Sequence, residues 1–457
     1  MLIKQIDPIW MQTDQPEKIK PFLKYEKEYW KKEGYSRIRK TYTEYLVSKN
    51  GIFLAGFLPR ILGQFINCEL QLSKLETNID RAEPKLKEIK FSPEQLRLIN
   101  SALEYRRGVL VAPTGYGKTI MALALISCFP DSKILFLCHT LTLIKQTLDE
   151  LSKFGFKNFT QVGGGTKELT GRVVVSTIQS LARINPFHYC DFDMVIVDEC
   201  HHISGQESLY YKVLTNILAP LRFGLTATMP TSQEKLLYIE GLLGPVLDQI
   251  TLKEGMEKKA LAVPKVKIIP IEKCDGLTGI NHYQSKNETE EYESKKGIYE
   301  IAIVENRIRN REIIKICEEQ NNNNKSCLVF VDFIEHGENL LSIGKNTIKN
   351  ISLVRGSTTA EERNKIKKDL GFKKIKTVIA TTVWTEGLNI PSLNTIILAG
   401  GGKSTKKLLQ MIGRVLRRTE EKETALIIDF ADSGKFISEH FVERLKLYLM
   451  NKWEIIY

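Results

Sequence analysis

Two stretches of this chain place a lysine and hydroxyls directly after glycines: Ala112–Thr119 (APTGYGKT) and Leu398–Thr405 (LAGGGKST). That combination suits phosphate. Glycines let successive N–H groups turn inward around anionic oxygens, the lysine reaches the outer oxygens, and the hydroxyl can ligate a divalent cation. The earlier stretch also has the surroundings this chemistry needs. The apolar run VLV at 109–111 leads into it and the helical pattern IMALALI comes directly after, so the positive end of a helix faces the same anion. Pro113, Thr114, Gly115, Tyr116, Gly117, Lys118 and Thr119 are the expected nucleotide contacts, with Lys118 on the terminal phosphates and Thr119 on Mg2+. The first position of the usual pattern is Ala112 rather than glycine.

A second half-site lies downstream. MVIVDECHH ends an apolar run in two adjacent carboxylates. Asp198 can hold Mg2+, directly or through water, and Glu199 can orient and deprotonate an attacking water. Cys200, His201 and His202 lack further ligands at metal-binding spacing, so His201 is expected to bond polar groups nearby. The later loop has no such partner. Counting back from Lys403 puts the first position of the phosphate pattern at Ile397, inside an apolar run, and Asp429 reads as a lone acid. The expectation is a turn off a sheet, with Ser404 or Thr405 capping the next helix and Lys403 near a nucleic-acid phosphate.

The elements that must position these residues can be read from the apolar runs. VLV at 109–111, ILFLC at 134–138, VVVS at 173–176 and MVIV at 194–197 are continuous rather than alternating, as in a parallel sheet covered on both faces. The rhythm recurs in CLVFV at 327–331, ISLV at 351–354, TVIAT at 377–381, TIILA at 395–399 and ALIID at 425–429. The fold class is α/β: two tandem parallel-sheet domains, 89–258 and 259–457, with a small N-terminal α+β accessory domain, 1–88. Residues 275–300 are polar, with partial mobility expected.

In the N-terminal segment YTEYLV and IFLAGF flank SKNG, a hairpin signal with Asn50-Gly51 at the turn. Just before it, Lys24, Lys27, Lys31, Lys32, Arg37, Arg39 and Lys40 are interleaved with Tyr25, Tyr29, Trp30 and Tyr35. Cations that grip phosphates and aromatics that stack on unpaired bases give one reading, recognition of DNA forks or junctions. A basic amphipathic helix with core aromatics is the other.

At 457 residues, with 42% hydrophobic and 26% charged residues, the chain can bury real cores. No apolar run reaches the roughly 20 residues that span a bilayer. Eight cysteines without CxxC pairs point to buried thiols in a reducing, cytoplasmic setting. A formal charge of +12 favours a polyanionic partner.

With DECH after APTGYGKT, the sequence resembles the superfamily 2 helicases and translocases of the DExH type. Gln95 in FSPEQLRLI, CHTLTLIKQ from Cys138, VVVSTIQSL from Val173 and LTATMP from Leu225 keep the family order. So do LVFVDF from Leu328, IATTVWTEGLNIPSLNTII from Ile379 and QMIGRVLRR from Gln410. FLAGFLPRI, GGGKS and IGRVLRR are similar to phage recombination helicases of the UvsW type, relatives of XPB-like and RecG-like enzymes.

The resemblance implies paired RecA-like lobes with ATP and Mg2+ between them. Gln95 would read adenine, and Gly387 would join the nucleotide contacts. Gln410, Arg414 and Arg417, spaced i, i+4, i+7, would share one helix face turned to the nucleotide, with Arg414 and Arg417 supplying cations to the γ-phosphate. Thr140, Thr177, Gln179, Thr381 and Thr382 would bond nucleic-acid phosphates, with little sequence preference. Thr226 and Thr228 would couple the two sites. Two departures stand out: Asn389 where the family has an acid, and HTL at 139–141 without the expected cation. The implied activity is ATP-driven remodelling of branched DNA by a monomer. An RNA helicase, a duplex translocase that leaves strands paired, and a non-catalytic clamp are the alternatives, the last opposed by the intact Lys118, Asp198, Glu199 and Arg414.

Overall fold

The computed structural model describes residues 1–33, 36–72, 81–271, 297–381, 384, 390, 392–416, 418 and 422–456. Thr382, Gly387, Arg417, Tyr35, Asn389 and most of the polar stretch 275–300 lie outside the described residues. The chain divides into two units, Met1–Pro113 with Gly117–Ile250, and Thr114–Tyr116 with Thr251–Tyr457.

The first unit begins with Leu2–Gln5 (β1), Trp10–Thr13 (β2), Lys24–Glu33 (β3), Ser36–Tyr45 (β4), Ile52–Leu54 (β5) and Glu69–Gln71 (β6). Four of these form a small sheet in the order β5-β2-β1-β6, while β3 and β4 pair only with each other. The Asn50-Gly51 turn is present: Gly51 has φ +76°, its amide bonds the Ser48 carbonyl, and Val47 bridges Phe53.

The cationic stretch from Lys24 is a ribbon and not a helix. Its β-branched and aromatic content (Tyr, Trp, Thr, Ile) favours strands over helix. Among the described residues of the ribbon, only Tyr25 at its base is core; Tyr29, Trp30, Ile38, Tyr42 and Tyr45 are exposed.

The small sheet shares its core with the rest of the first unit. Ile3, Met11, Phe53 and Phe57 belong to the same apolar cluster as Val109, Leu237, Tyr238 and Leu242. Helix Gln233–Leu243 packs closely here through two glycines, its own Gly241 and Gly56 of the facing turn. A Cβ on Gly56 would lie 2.0 Å from the Glu240 carbonyl oxygen, and one on Gly241 would lie 2.9 Å from the Phe57 ring. Arg60 closes the edge with a forked pair on Glu240.

The larger sheet of this unit contains Arg107–Val111 (β7), Ile134–Cys138 (β8), Phe159–Gly163 (β9), Thr166–Lys167 (β10), Val173–Thr177 (β11), Met194–Asp198 (β12), Leu221–Thr226 (β13) and Val246–Gln249 (β14). Its order is β10-β9-β11-β8-β12-β13-β7-β14, parallel except for β10. Helix Lys118–Cys128 is apolar on nearly every side, as a helix laid against a buried sheet must be.

The second unit has a wholly parallel sheet of Val263–Ile271 (β15), Cys327–Val331 (β16), Ile351–Val354 (β17), Thr377–Thr381 (β18), Thr395–Leu398 (β19), Thr424–Asp432 (β20) and Glu454–Ile456 (β21). The order is β17-β18-β16-β19-β20-β15-β21. No described helix is long and apolar enough to cross a membrane.

This core holds charge. Asp429, read from sequence as a lone acid, is fully buried and takes a forked bond from Arg444 plus one from the Tyr448 hydroxyl at 2.6 Å. Arg309 pairs likewise with Asp432 and lies over the Phe430 ring. His336 bonds Asn310 at 2.9 Å, and burial, helped by the Arg309 charge, holds its imidazole down to about 3.

That last group makes stability pH-dependent. The folded imidazole stays neutral, while the unfolded one, with a pKa of about 6.5, takes up a proton. Its contribution is therefore complete above about pH 6.5 and is lost as pH falls toward the folded value, by at most about 1.4 kcal/mol per pH unit. Urea unfolding of wild type and His336→Gln between about pH 7 and 5 checks this; the variant should show the shallower loss. Equal slopes would refute it.

Candidate functional site

In a parallel sheet, ligands meet the loops at the carboxyl ends of the strands. Three neighbouring strands converge there in the first unit. β7 runs into the loop Ala112–Gly117, β12 ends at Asp198, and β13 lies between them and ends at Thr226. The register is fixed: Thr226 opposes Val111, Leu225 opposes Asp198, and the Ala112 amide bonds the Thr226 carbonyl at 3.0 Å.

The loop has the backbone that phosphate requires. Gly115 and Gly117 adopt φ +92° and +88°, left-handed values that turn amides inward, and helix Lys118–Cys128 starts at once. Lys118 Nζ donates to the Ala112 carbonyl at 3.3 Å, so the cation lies folded over the loop. Thr119 stands in the first helical turn, and Pro113, Thr114 and Tyr116 complete the loop. Gln95 sits in the first turn of helix Pro93–Tyr105, where its carbonyl oxygen accepts from the Ser92 amide in a capping box. A Cβ on Gly117 would fall 2.8 Å from Gln95 Nε2. Glycine at 117 thus answers both the left-handed turn and the approach of this amide.

Beyond Asp198 the chain turns sharply. Glu199 has φ +48°, an uncommon left-handed value for a residue with a side chain, and Cys200–His202 form a short 3-10 turn. The Asp198 carboxylate accepts the Glu199 amide at 3.0 Å. His201 is buried, with Nδ1 2.9 Å from Thr226 Oγ1 and 3.2 Å from Glu199 Oε2. The Thr226 hydroxyl donates to the Thr228 carbonyl at 3.0 Å and accepts the Thr228 amide at 3.3 Å. With that proton engaged, the Nδ1–H of His201 is the donor to Thr226 Oγ1, an assignment made from the network. His201, Thr226 and Thr228 therefore form one continuous hydrogen-bonded path, with the Glu199 carboxylate 3.2 Å from its histidine end.

Thr140 and Thr177 end neighbouring strands, and each already has a structural task. Thr140 accepts the Leu143 amide as N-cap of helix Leu141–Lys153, and Thr177 accepts the Ser180 amide before Ile178–Leu181. Gln179 is exposed beside them. Two helix starts at adjacent strand ends make an edge that suits anions.

In the second unit Thr381 ends β18 with a buried hydroxyl that finds no partner among the described residues. Gln410 and Arg414 lie on helix Thr405–Val415, their side chains outside the described residues.

The later glycine loop differs from the first. Gly401 has φ +65°, and a Cβ on Gly400 would come 2.5 Å from the Asp332 carboxylate. The Gly402 carbonyl accepts from Arg444 at 3.0 Å, the Gly400 carbonyl accepts from the Tyr299 hydroxyl, and Ser404 bonds Leu408 through its carbonyl. The loop's carbonyls are bound from behind, and it borders a cavity of about 200 Å³ lined by Phe330, Leu398, Met411 and Lys403. Asp332 lies in LVFVDF, whereas Arg444 and Tyr299 belong to none of the sequence motifs. Only the buried acid Asp429 hinted at a partner.

The hydroxyl of Thr226 is the most heavily used atom of the first unit's path. Thr226→Val keeps the shape and strips the bonds to His201 and Thr228, so it should destabilise this unit by about 1–3 kcal/mol. Urea unfolding measures this; an unchanged midpoint would show the path to be ornamental.

Comparison with known proteins agrees with this geometry. Residues 88–231 match the family described as "Type III restriction enzyme, res subunit", and residues 286–419 match the helicase conserved C-terminal domain. The chain is 25% identical over 381 residues to the ATP-dependent DNA helicase uvsW of Enterobacteria phage T4, covering 77% of this chain and 73% of that one. It is 24% identical over 375 residues to the DNA 3'-5' translocase XPB2 of Sulfurisphaera tokodaii, covering 76% and 82%. In structure, the helicase Lhr of Mycobacterium smegmatis, solved with ssDNA and AMP-PNP, superposes with a TM-score of 0.55 at 17% identity, covering 80% of this chain and 49% of that one. Both parallel sheets are RecA-like, and the chain belongs to the superfamily 2 helicases.

Proposed function

We propose that this chain is an ATP-driven DNA helicase that remodels branched DNA, such as forks and Holliday junctions. The observation that carries the ATPase part is the convergence of the glycine loop, Lys118 and the Asp198–Glu199 pair on three adjacent strand ends, tied through Thr226. In this reading Lys118 and the loop amides hold the phosphates, while Thr119 and Asp198 hold Mg2+, which offsets phosphate charge when bound. Glu199 takes a proton from the attacking water. Arg414 and Arg417 meet the charge that develops on the transferred phosphoryl group, and Gln95 and Gly387 serve nucleotide binding.

DNA as the partner is supported by the charge of +12, by the helix starts at Thr140 and Thr177, and by the likeness to a DNA helicase and a DNA translocase. Lys403, Thr381 and Thr382 are proposed as further phosphate contacts. The translocase relative favours one second reading, movement along duplex without strand separation.

The test is ATPase stimulation by single strand, blunt duplex, Holliday junction and RNA in parallel. The greatest stimulation by the junction is the expected result; equal stimulation by unbranched duplex selects the second reading, and a preference for RNA refutes both. Within the site, Lys118→Ala and Glu199→Gln should each lower turnover by about 10²-fold or more, with ATP binding kept in Glu199→Gln. Lys403→Ala should weaken DNA stimulation and leave ATP binding within about twofold, because its loop holds no nucleotide. Loss of ATP binding in Lys403→Ala would overturn that division.

A further inference from the structure

The ribbon of β3 and β4 is paired along its whole length, from Lys24 opposite Tyr45 to Glu33 opposite Ser36. Ten residues at about 3.3 Å each give an arm of roughly 30 Å. Its base is held by the first unit. Tyr25 is buried, with its hydroxyl 3.4 Å from both Tyr238 and Glu234, and Gln233 reaches the Lys24 carbonyl. Beyond that, Glu26 to Lys31 and Ile38 to Arg39 are exposed. A two-stranded ribbon is marginal in water without a further layer. This one carries exposed aromatic rings, Tyr29 at 42%, Trp30 at 55% and Tyr42 at 42%, that a solvated arm has no use for.

The register sorts these side chains by face, since directly opposed residues share one. One face carries the rungs Tyr25/Glu44, Lys27/Tyr42, Tyr29/Lys40 and Lys31/Ile38. From Lys27 to Lys31, each rung joins a lysine to a ring or an aliphatic group. The Tyr29 and Tyr42 rings meet edge to face at 5.6 Å. Lys27, Lys31 and Lys40 stand on this face, and Glu44 is near Lys27 at 3.6 Å. The opposite face carries Glu26/Thr43, Glu28/Thr41 and Trp30/Arg39. There Arg39 is paired with Glu28. The arm as a whole carries more cations than acids, as a polyanion requires, and the paired rings mark the first face. The rings narrow the choice further. Stacking needs a base whose flat side is open, and in a duplex those sides are covered by neighbouring bases.

We propose that the Tyr29–Tyr42 face of this ribbon binds an unpaired DNA strand, with the rings stacked on bases and Lys27, Lys31 and Lys40 on phosphates. The inference rests on the reading of the chain as one that acts on DNA, and it adds the part of the substrate the arm takes. It does not require hydrolysis.

The test is fluorescence anisotropy of the full chain without nucleotide, using fluorescein-labelled oligo(dT) and a blunt duplex. Because no ATP is present, failure of the helicase reading leaves this result interpretable. Y29A/Y42A should weaken oligo(dT) binding by about tenfold or more and duplex binding by less than about twofold. Y29F/Y42F should keep oligo(dT) affinity within about twofold, since the ring and not the hydroxyl stacks. K31Q/K40Q should lower the slope of log affinity against log salt by about 1.4, two charges on a single strand. Thermal unfolding of each variant verifies the fold, and the phenylalanine pair keeps the test decisive if the alanine pair is unstable. Wild-type binding by Y29A/Y42A, an equal loss on duplex, or a loss in Y29F/Y42F would overturn the proposal. So would a dimer of the chain that the alanine pair abolishes while DNA binding stays unchanged.

Discussion

Arg222 is the second residue of β13, fully buried, and the first unit's site depends on it. Its guanidinium donates to the carbonyls of Leu242, Ile217 and Leu214 at 2.7 to 2.9 Å. Leu214 closes helix Leu209–Leu214 and Leu242 lies in the last turn of Gln233–Leu243. The cation therefore rests on two helix carboxyl ends, whose partial negative charge offsets it. These bonds lock β13 between β12 and β7, and that strand sets how far the carboxylates stand from the phosphate loop. Because side chains alternate along a strand, a shift of one residue would point Thr226 away from His201.

The same arginine explains why part of the fold is hard to read in the sequence. The runs at 134–138, 327–331 and 377–381 announce themselves because nothing polar interrupts them, and the structure places strands over those residues. LRFGLT does not, since a charge in a central strand is rare without a partner, and the partners here are carbonyls that no sequence pattern marks. β15 is masked in another way, by Pro264 and Pro270 within nine residues. The ribbon leaves strand and helix both open in the sequence because lysine and glutamate carry little β preference, and its rings face solvent instead of a core. The loop at Ala112–Thr119 is legible throughout, because it is one local segment. The path from Glu199 through His201 to Thr226 is legible only as motifs, since its distances depend on strands far apart in sequence.

The two glycine–lysine loops show how little a short motif fixes by itself. In the first, left-handed glycines and a helix start aim amides at one point. In the second, Asp332 stands where a side chain on Gly400 would be, Gly401 takes a left-handed φ, and the carbonyls of Gly402 and Gly400 are tied down by Arg444 and Tyr299. The composition is nearly the same; what differs is which backbone groups remain available. Buried pairs such as Asp429 with Arg444 add little net stability over apolar packing, but they hold a loop in one conformation.

Helix Gln233–Leu243 is engaged on two sides. Tyr238 and Glu234 meet the root of the ribbon, and the Leu242 carbonyl receives Arg222. The root is consequently fixed by the core of the first unit, while the exposed length beyond Tyr25 is not. Such an arm can change its reach without disturbing its anchor, provided that it grows by the right increment. Two residues added to each strand would extend it by about 6.6 Å and keep the same side chains on the same face. One residue added to each would turn every ring and every lysine beyond the insertion to the opposite side.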